Sequence, residues 1–178
     1  MPGIGHLAVG LAAARVTQPP AGIGQLRWTA LLVGASFAPD ADVVAFSLGI
    51  PYGSPLGHRG ALHSIFIAGV CGAAVGLMAH RRGVSPLSLV LIISAVMASH
   101  GILDAFTDGG RGIALLWPFS DARYFAPWRP IPVSPLGMAV FSAHGIRVMC
   151  YEILLFLPLF AVAAWPRSAA RQPPRDRA

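Results

Sequence analysis

The amino-acid sequence predicts an all-α fold: an integral membrane helical bundle with about three full transmembrane helices and two shorter apolar helices in its N-terminal third. Composition is the first reason. Hydrophobic residues fill 55% of the 178 positions and charged residues 11%, with a mean hydropathy of +0.65. A soluble domain of this length must leave much of its surface to water and cannot be built from that mix. Two long apolar runs are the second reason: 83–103 carries no formal charge and 148–165 is interrupted by Glu152 alone. Each has the length that a hydrocarbon core of roughly 30 Å demands of a helix. Third, Arg81 and Arg82 separate two apolar runs, and Arg167, Arg171, Arg175 and Arg177 follow the last one.

Taken in order, residues 3–14 and 28–38 are helix-compatible, but each reaches only about two-thirds of a span, so re-entrant or half-buried helices compete with full crossings. The stretch between them, 17–25, contains Pro19, Pro20 and two glycines and reads as a connector. Pro39 ends or kinks the second helix. Residues 49–60, with Pro51, Gly53, Pro55 and Gly57, form another connector. A third span, slightly short, covers 64–79, with His63 and His80 near its interfaces. Residues 108–142 are rich in Gly, Pro and aromatics and read as a structured loop at the membrane surface. One membrane-embedded domain, 1–166, is thus followed by a polar Arg- and Pro-rich tail, 167–178, expected to be disordered. The N-terminus lacks the pattern of a removable signal peptide.

Thirteen arginines and no lysine face seven acids, for a formal charge of +6. No recognition helix or aromatic RNA platform accompanies that charge, so it is read as membrane placement and contact with lipid headgroups, with no nucleic-acid partner. The arginine distribution puts Arg81, Arg82 and the C-terminal tail in the cytoplasm. The start of the 64–79 helix, the end of the 83–103 helix and the start of the 148–165 helix then share the opposite side, and with Arg15 and Arg27 also cytoplasmic His6 and Asp40 fall there too. Cys71 and Cys150 lie inside apolar runs without metal-type spacing.

The polar residues of these apolar segments carry the chemistry. His100 and Asp104 stand four apart near the end of a helix, on one face, as two ligands of one metal would; an interhelical His–Asp hydrogen bond is the alternative. A buried Asp in an apolar helix is costly unless paired or metal-bound. Asp40 and Asp42 follow Pro39 in a low-polarity segment, where two carboxylates repel unless a cation lies beside them. Either could instead cap the short run 43–48. His58 and His63 bracket a Gly-rich approach to a helix that Ser64 can cap, and neutral imidazole suits zinc and similar metals. Arg59 between them can hold a phosphate or carboxylate with two bonds, or a lipid headgroup. His6 can join the set if the first helix packs into the bundle. His80 belongs to the basic interface and is excluded. His144, Arg147 and Glu152 lie at the start of the last helix, where Glu152 serves either as a supporting partner of the site or in an interhelical hydrogen bond.

Gly5-His6, Pro39-Asp40-Ala41-Asp42, His58-Arg59-Gly60 with His63-Ser64, Ser99-His100 through Leu103-Asp104 to Thr107 and Gly110, and Leu116-Trp117-Pro118-Phe119 occur in that order over residues 5 to 119. This ordered set resembles the membrane-bound metal-dependent hydrolases of the YdjM type, with Leu62 standing where many members have Thr. A looser similarity links it to the zinc-dependent phospholipase C and P1 nuclease group, through an early His, an Asp, further His and a His-x-x-x-Asp helix. The resemblance implies a hydrolase of the bacterial inner membrane, working at the membrane–water boundary. His6, Asp40, Asp42, His58, His63, His100 and Asp104 would be its metal ligands. Seven ligands suggest two ions, zinc first, with manganese or iron as alternatives. Asp42 is the expected general base and Arg59 the residue that orients a phosphate. The expected substrate is an amphiphilic, lipid-like phosphoester or other ester. Two rivals use the same residues: a non-enzymatic membrane protein that binds or transports metal, and a structural His–Asp network.

Overall fold

The computed structural model describes residues 3–80, 86–135 and 137–166. Arg81, Arg82 and the 167–178 tail lie outside the described residues. Every regular element among those residues is helical, and the strand-like contacts are two isolated bridges, Thr107 with Ile131 and Ile113 with Tyr124.

Helix α1 (Gly3–Val16) buries Gly5, Ala8, Gly10, Ala12 and Ala14, small residues that let α2 (Gln25–Phe37) approach closely. Pro39 ends α2 as an α-helix, as expected, because it has no N–H to give and its ring crowds the preceding turn. The helical path nevertheless continues through a 3-10 segment, Ala38–Val43, and a short α3, Val44–Ser47. Pro39 sits in the first turn of the 3-10 segment, where a missing N–H leaves no bond unmade. The combined segment Gln25–Ser47 is 23 residues long and able to cross a membrane, so it exceeds the two-thirds span expected from 28–38.

A 3-10 turn at Ala61–His63 leads into α4 (Ile65–His80), whose first turn is capped by the Ser64 hydroxyl accepting from the Ile67 N–H at 3.1 Å. This helix has 16 residues and falls in the shorter class together with α1. Its buried stripe of Ala68, Gly72 and Gly76 lies along α5 (Pro86–Ala105), the most extensive helix pair in the molecule. Another 3-10 turn, Gly137–Phe141, precedes α6 (Ala143–Leu155) and α7 (Leu157–Ala164), which meet at 60°. Pro158 in the first turn of α7 supplies the break. Among the described residues, two helical segments are therefore long and apolar enough to span, Gln25–Ser47 and Pro86–Ala105, and a third if the bent pair counts as one.

The core is apolar and central: Trp28 and Leu32 of α2 pack with Ala68, Leu89, Ile93, Val96 and Met97. Leu26, Leu77, Met78, Leu87, Leu91 and Leu154 remain exposed on the helices. Side chains of that size on open helix faces suit lipid rather than water. The chain runs back and forth so that the start of α1, the end of the Gln25–Ser47 segment, the start of α4 and the end of α5 meet at one end. At the other end Arg15 donates to the Trp165 carbonyl.

Candidate metal centre

On α5, His100 and Asp104 are one turn apart and 0% exposed. His100 Nδ1 lies 2.7 Å from the Ser36 carbonyl oxygen, which can only accept, so Nδ1 carries the ring hydrogen. Nε2 then faces Asp40 Oδ1, 3.2 Å away, and neither atom has an aligned hydrogen bond. A ring nitrogen and a carboxylate so placed need a cation, a proton or a metal ion, between or beside them.

The 3-10 turn ahead of α4 delivers His63 into the same space. Its Nδ1 is 3.0 Å from Asp42 Oδ2, and its Nε2 is 3.5 Å from Asp40 Oδ1 and 3.6 Å from Asp104 Oδ2. Burial alone would lower the His63 pKa, but the adjacent Asp104, Asp40 and Asp42 carboxylates favour the charged ring, outweigh that cost and push it up to about 10. Asp42 also accepts from His58 Nδ1 at 2.6 Å and from the backbone N–H of Arg59 at 3.0 Å. Neither Asp40 nor Asp42 caps a helix, since Phe37 and Val43 hold those positions and make no side-chain bonds there. His6 stacks on His100 at 3.6 Å between ring centroids, with Nε2 3.5 Å from Asp104 Oδ1.

Arg59 is 1% exposed. Its Nε stands 3.1 Å from Asp104 Oδ2 and its Nη1 donates to the Gly109 carbonyl at 2.8 Å. Three carboxylates, Asp40, Asp42 and Asp104, face this one guanidinium and a protonated His63, and a negative charge is left over. In a buried site each uncompensated charge costs on the order of several kcal/mol.

Whether these residues suit a metal is tested by their unmade bonds. His6 Nδ1 and Nε2, Asp40 Oδ1, His63 Nδ1 and Nε2, His100 Nε2 and both Asp104 oxygens are buried without an aligned hydrogen bond. Several approach one another closely yet at angles that do not bond, the pattern of groups aimed at a common point. Asp40, His63, His100 and Asp104 each offer one ligand atom, all within 4.8 Å of one another, and so do Asp40, Asp42, His58 and His63. The two sets share Asp40 and His63. Imidazole and carboxylate donors of this kind fit a divalent first-row cation.

Residues 1–170 match the YdjM inner membrane protein family. The chain is also 37% identical over 137 residues to the inner membrane protein YbcI of Escherichia coli (strain K12), covering 72% of this chain and 78% of that protein. The chain belongs to the YdjM inner membrane protein family. No solved structure matches it, and the similarity to the zinc-dependent phospholipase C and P1 nuclease group finds no support among the matched proteins. Membership places the protein among bacterial inner membrane proteins, in keeping with its apolar helices.

All seven candidate ligands of this YdjM-family chain are gathered at one place. His80, His144 and Arg147 are exposed and stand apart from it, with Arg147 bonding to its own helix at Ala143. Glu152 is 1% exposed and accepts from the Ile4 N–H at 2.9 Å, the interhelical option, and so ties down the first turn of the helix that carries His6. Sequence reasoning missed Ser36, Tyr52 and Arg123. Arg123 donates to the carbonyls of His58, Arg59, Gly112, Tyr52 and Ser54 at 3.1–3.4 Å, locking the two surface loops together. Only an arginine within a Gly- and Pro-rich loop pointed to that role.

Proposed function

We propose that this protein is a membrane-bound metal-dependent hydrolase acting on a phosphoester or other ester of an amphiphilic substrate. The observation that carries the reading is the convergence of Asp40, His63, His100 and Asp104: one ligand atom from each lies within 4.8 Å of the others, and each of these residues has a buried polar atom without an aligned hydrogen bond. Asp40, His63, His100 and Asp104, with His6 beside them, are proposed to hold one zinc ion, and Asp42 and His58 to complete a second position. A divalent cation held there supplies Lewis acidity and a bound water that ionises near neutral pH. Asp42, shared by His58 Nδ1 and the Arg59 N–H, is the proposed proton acceptor. Arg59 steadies Asp104 and is the cation placed to orient a phosphoryl group at the ligands. Lipid or a lipid-like molecule is the proposed substrate, reached from the membrane boundary, and the C-terminal tail is assigned to the cytoplasmic side.

Metal analysis of the purified protein beside a screen of phosphomonoesters, phosphodiesters and phospholipids tests this reading. Asp104→Asn keeps the shape and an acceptor for Arg59 but removes the charge. It is expected to lower metal affinity by more than about tenfold and activity with it. A wild type that is metal-loaded yet inactive across the panel would favour metal binding or transport instead.

A further inference from the structure

Three arginines crowd the outer rim of the cluster around one tyrosine. Nη1 of Arg59 and the Tyr52 hydroxyl lie 2.5 and 3.0 Å from the position that a Cβ on Gly110 would occupy. The guanidinium carbons of Arg111 and Arg123 each stand 5.9 Å from the Tyr52 ring centroid. Tyr52 in turn meets His58 edge-on, 5.3 Å between ring centroids. Like charges gathered this closely repel, and of the three only Arg59 has a carboxylate against it among the described residues, Asp104 at 3.1 Å.

The commitments of the three differ. Arg59 has Asp104 and the Gly109 carbonyl, and Arg123 is spread over five carbonyls. Burial and the neighbouring Arg111 and Arg59 charges depress the Arg123 pKa, while Tyr52 and Asp42 oppose that shift. No carboxylate lies within ion-pair distance of Arg111 or Arg123 among the described residues. Arg111 is exposed, and its guanidinium contacts the Tyr52 ring without a carbonyl acceptor among the described residues. Gly110 and Gly112 on either side adopt φ of +91° and +75°, left-handed backbone that turns the chain sharply and holds Arg111 out from the loop.

We propose that Arg111, with Tyr52 at its base, is the recognition point for a phosphate-bearing anion at the mouth of the metal centre. A planar guanidinium with its donors unspent matches two phosphate oxygens. The Tyr52–His58 contact joins that point to the ligands. This inference rests on the hydrolase reading for its purpose, since the anion is the charged part of the substrate, but its binding test does not.

The test uses the full chain, zinc-loaded, in detergent micelles titrated with inorganic phosphate, and again in phosphatidylcholine nanodiscs with and without phosphatidate. Wild type should bind phosphate, and Arg111→Ala should bind it at least tenfold more weakly with unchanged metal content. Arg111→Lys should recover only part of the loss. Arg129→Ala, an exposed arginine over the Phe125 ring, should leave binding unchanged. Binding of free phosphate would identify a soluble anion as a sufficient source, and binding only in phosphatidate nanodiscs would identify a lipid headgroup; either supports the site. Equal affinity of wild type and Arg111→Ala, an equal loss in Arg129→Ala, or no anion binding in either medium would overturn it. A protein that holds no zinc but still loses phosphate binding in Arg111→Ala would sink the hydrolase reading while keeping the anion site.

Discussion

At the scale of single residues, His63 shows how strongly the pocket wants positive charge. Three carboxylates from two helical segments surround one imidazole, and they raise its pKa to about 10 against the cost of burial. At neutral pH and without metal the ring therefore carries a proton that a metal ligand must give up. Metal uptake near pH 7 should release about one proton from His63, and apparent affinity should climb about tenfold per pH unit, levelling off above about pH 10. Calorimetric titration of zinc in two buffers of different ionisation heat measures the release, and uptake with none would show that His63 does not exchange a proton for the metal. The ligand residues themselves are legible in the sequence, because His and Asp are conspicuous in an apolar chain with seven acids and six histidines. Their partners are not. The Ser36 carbonyl that sets the His100 tautomer lies 64 positions away and belongs to the backbone, which every residue type supplies equally.

Elements decide whether those residues meet. Gly101, next to His100, lets α5 lie against the turn that carries His63: a Cβ there would sit 2.3 Å from the His63 carbonyl oxygen. Gly101→Val should cost about 1–3 kcal/mol of stability as the two elements are forced apart. It should reduce metal content as well, although residue 101 offers no ligand atom. Gly69→Ala on α4, with open space at the Cβ position, should change neither thermal stability nor metal content. Full metal content in Gly101→Val would mean that the ligands tolerate a displaced α5. Of the helices, α5 and the short α1 are readable from their apolar runs. The Gln25–Ser47 segment is not, because Pro39 signals a stop to α-helix while leaving a 3-10 continuation open. Both carboxylates of the Asp40–Asp42 pair ride on that continuation.

For the whole molecule, the back-and-forth path puts Ser54 and the 108–135 loop at the end with the cluster, and the Arg15–Trp165 contact at the other end. In a cysteine-free background, a membrane-impermeant thiol reagent should label Ser54→Cys and Ser120→Cys from one side, and Ser168→Cys in the tail from the other. Labelling of Ser54→Cys and Ser168→Cys from the same side would overturn this topology.

Helices α1 and α4 contain 14 and 16 residues, hence about 21 and 24 Å of rise, against a hydrocarbon core of roughly 30 Å. Hydrophobic mismatch of that size is met by a bilayer that dips beside the shorter helices. Both helices begin at the candidate metal centre, so such a dip would draw headgroups, glycerol backbones and water inward there. On the proposed function, a lipid beside this protein would present its ester region, rather than its acyl tail, at the depth of the His and Asp cluster, and the thickness of the host membrane would become one of the dimensions of the site.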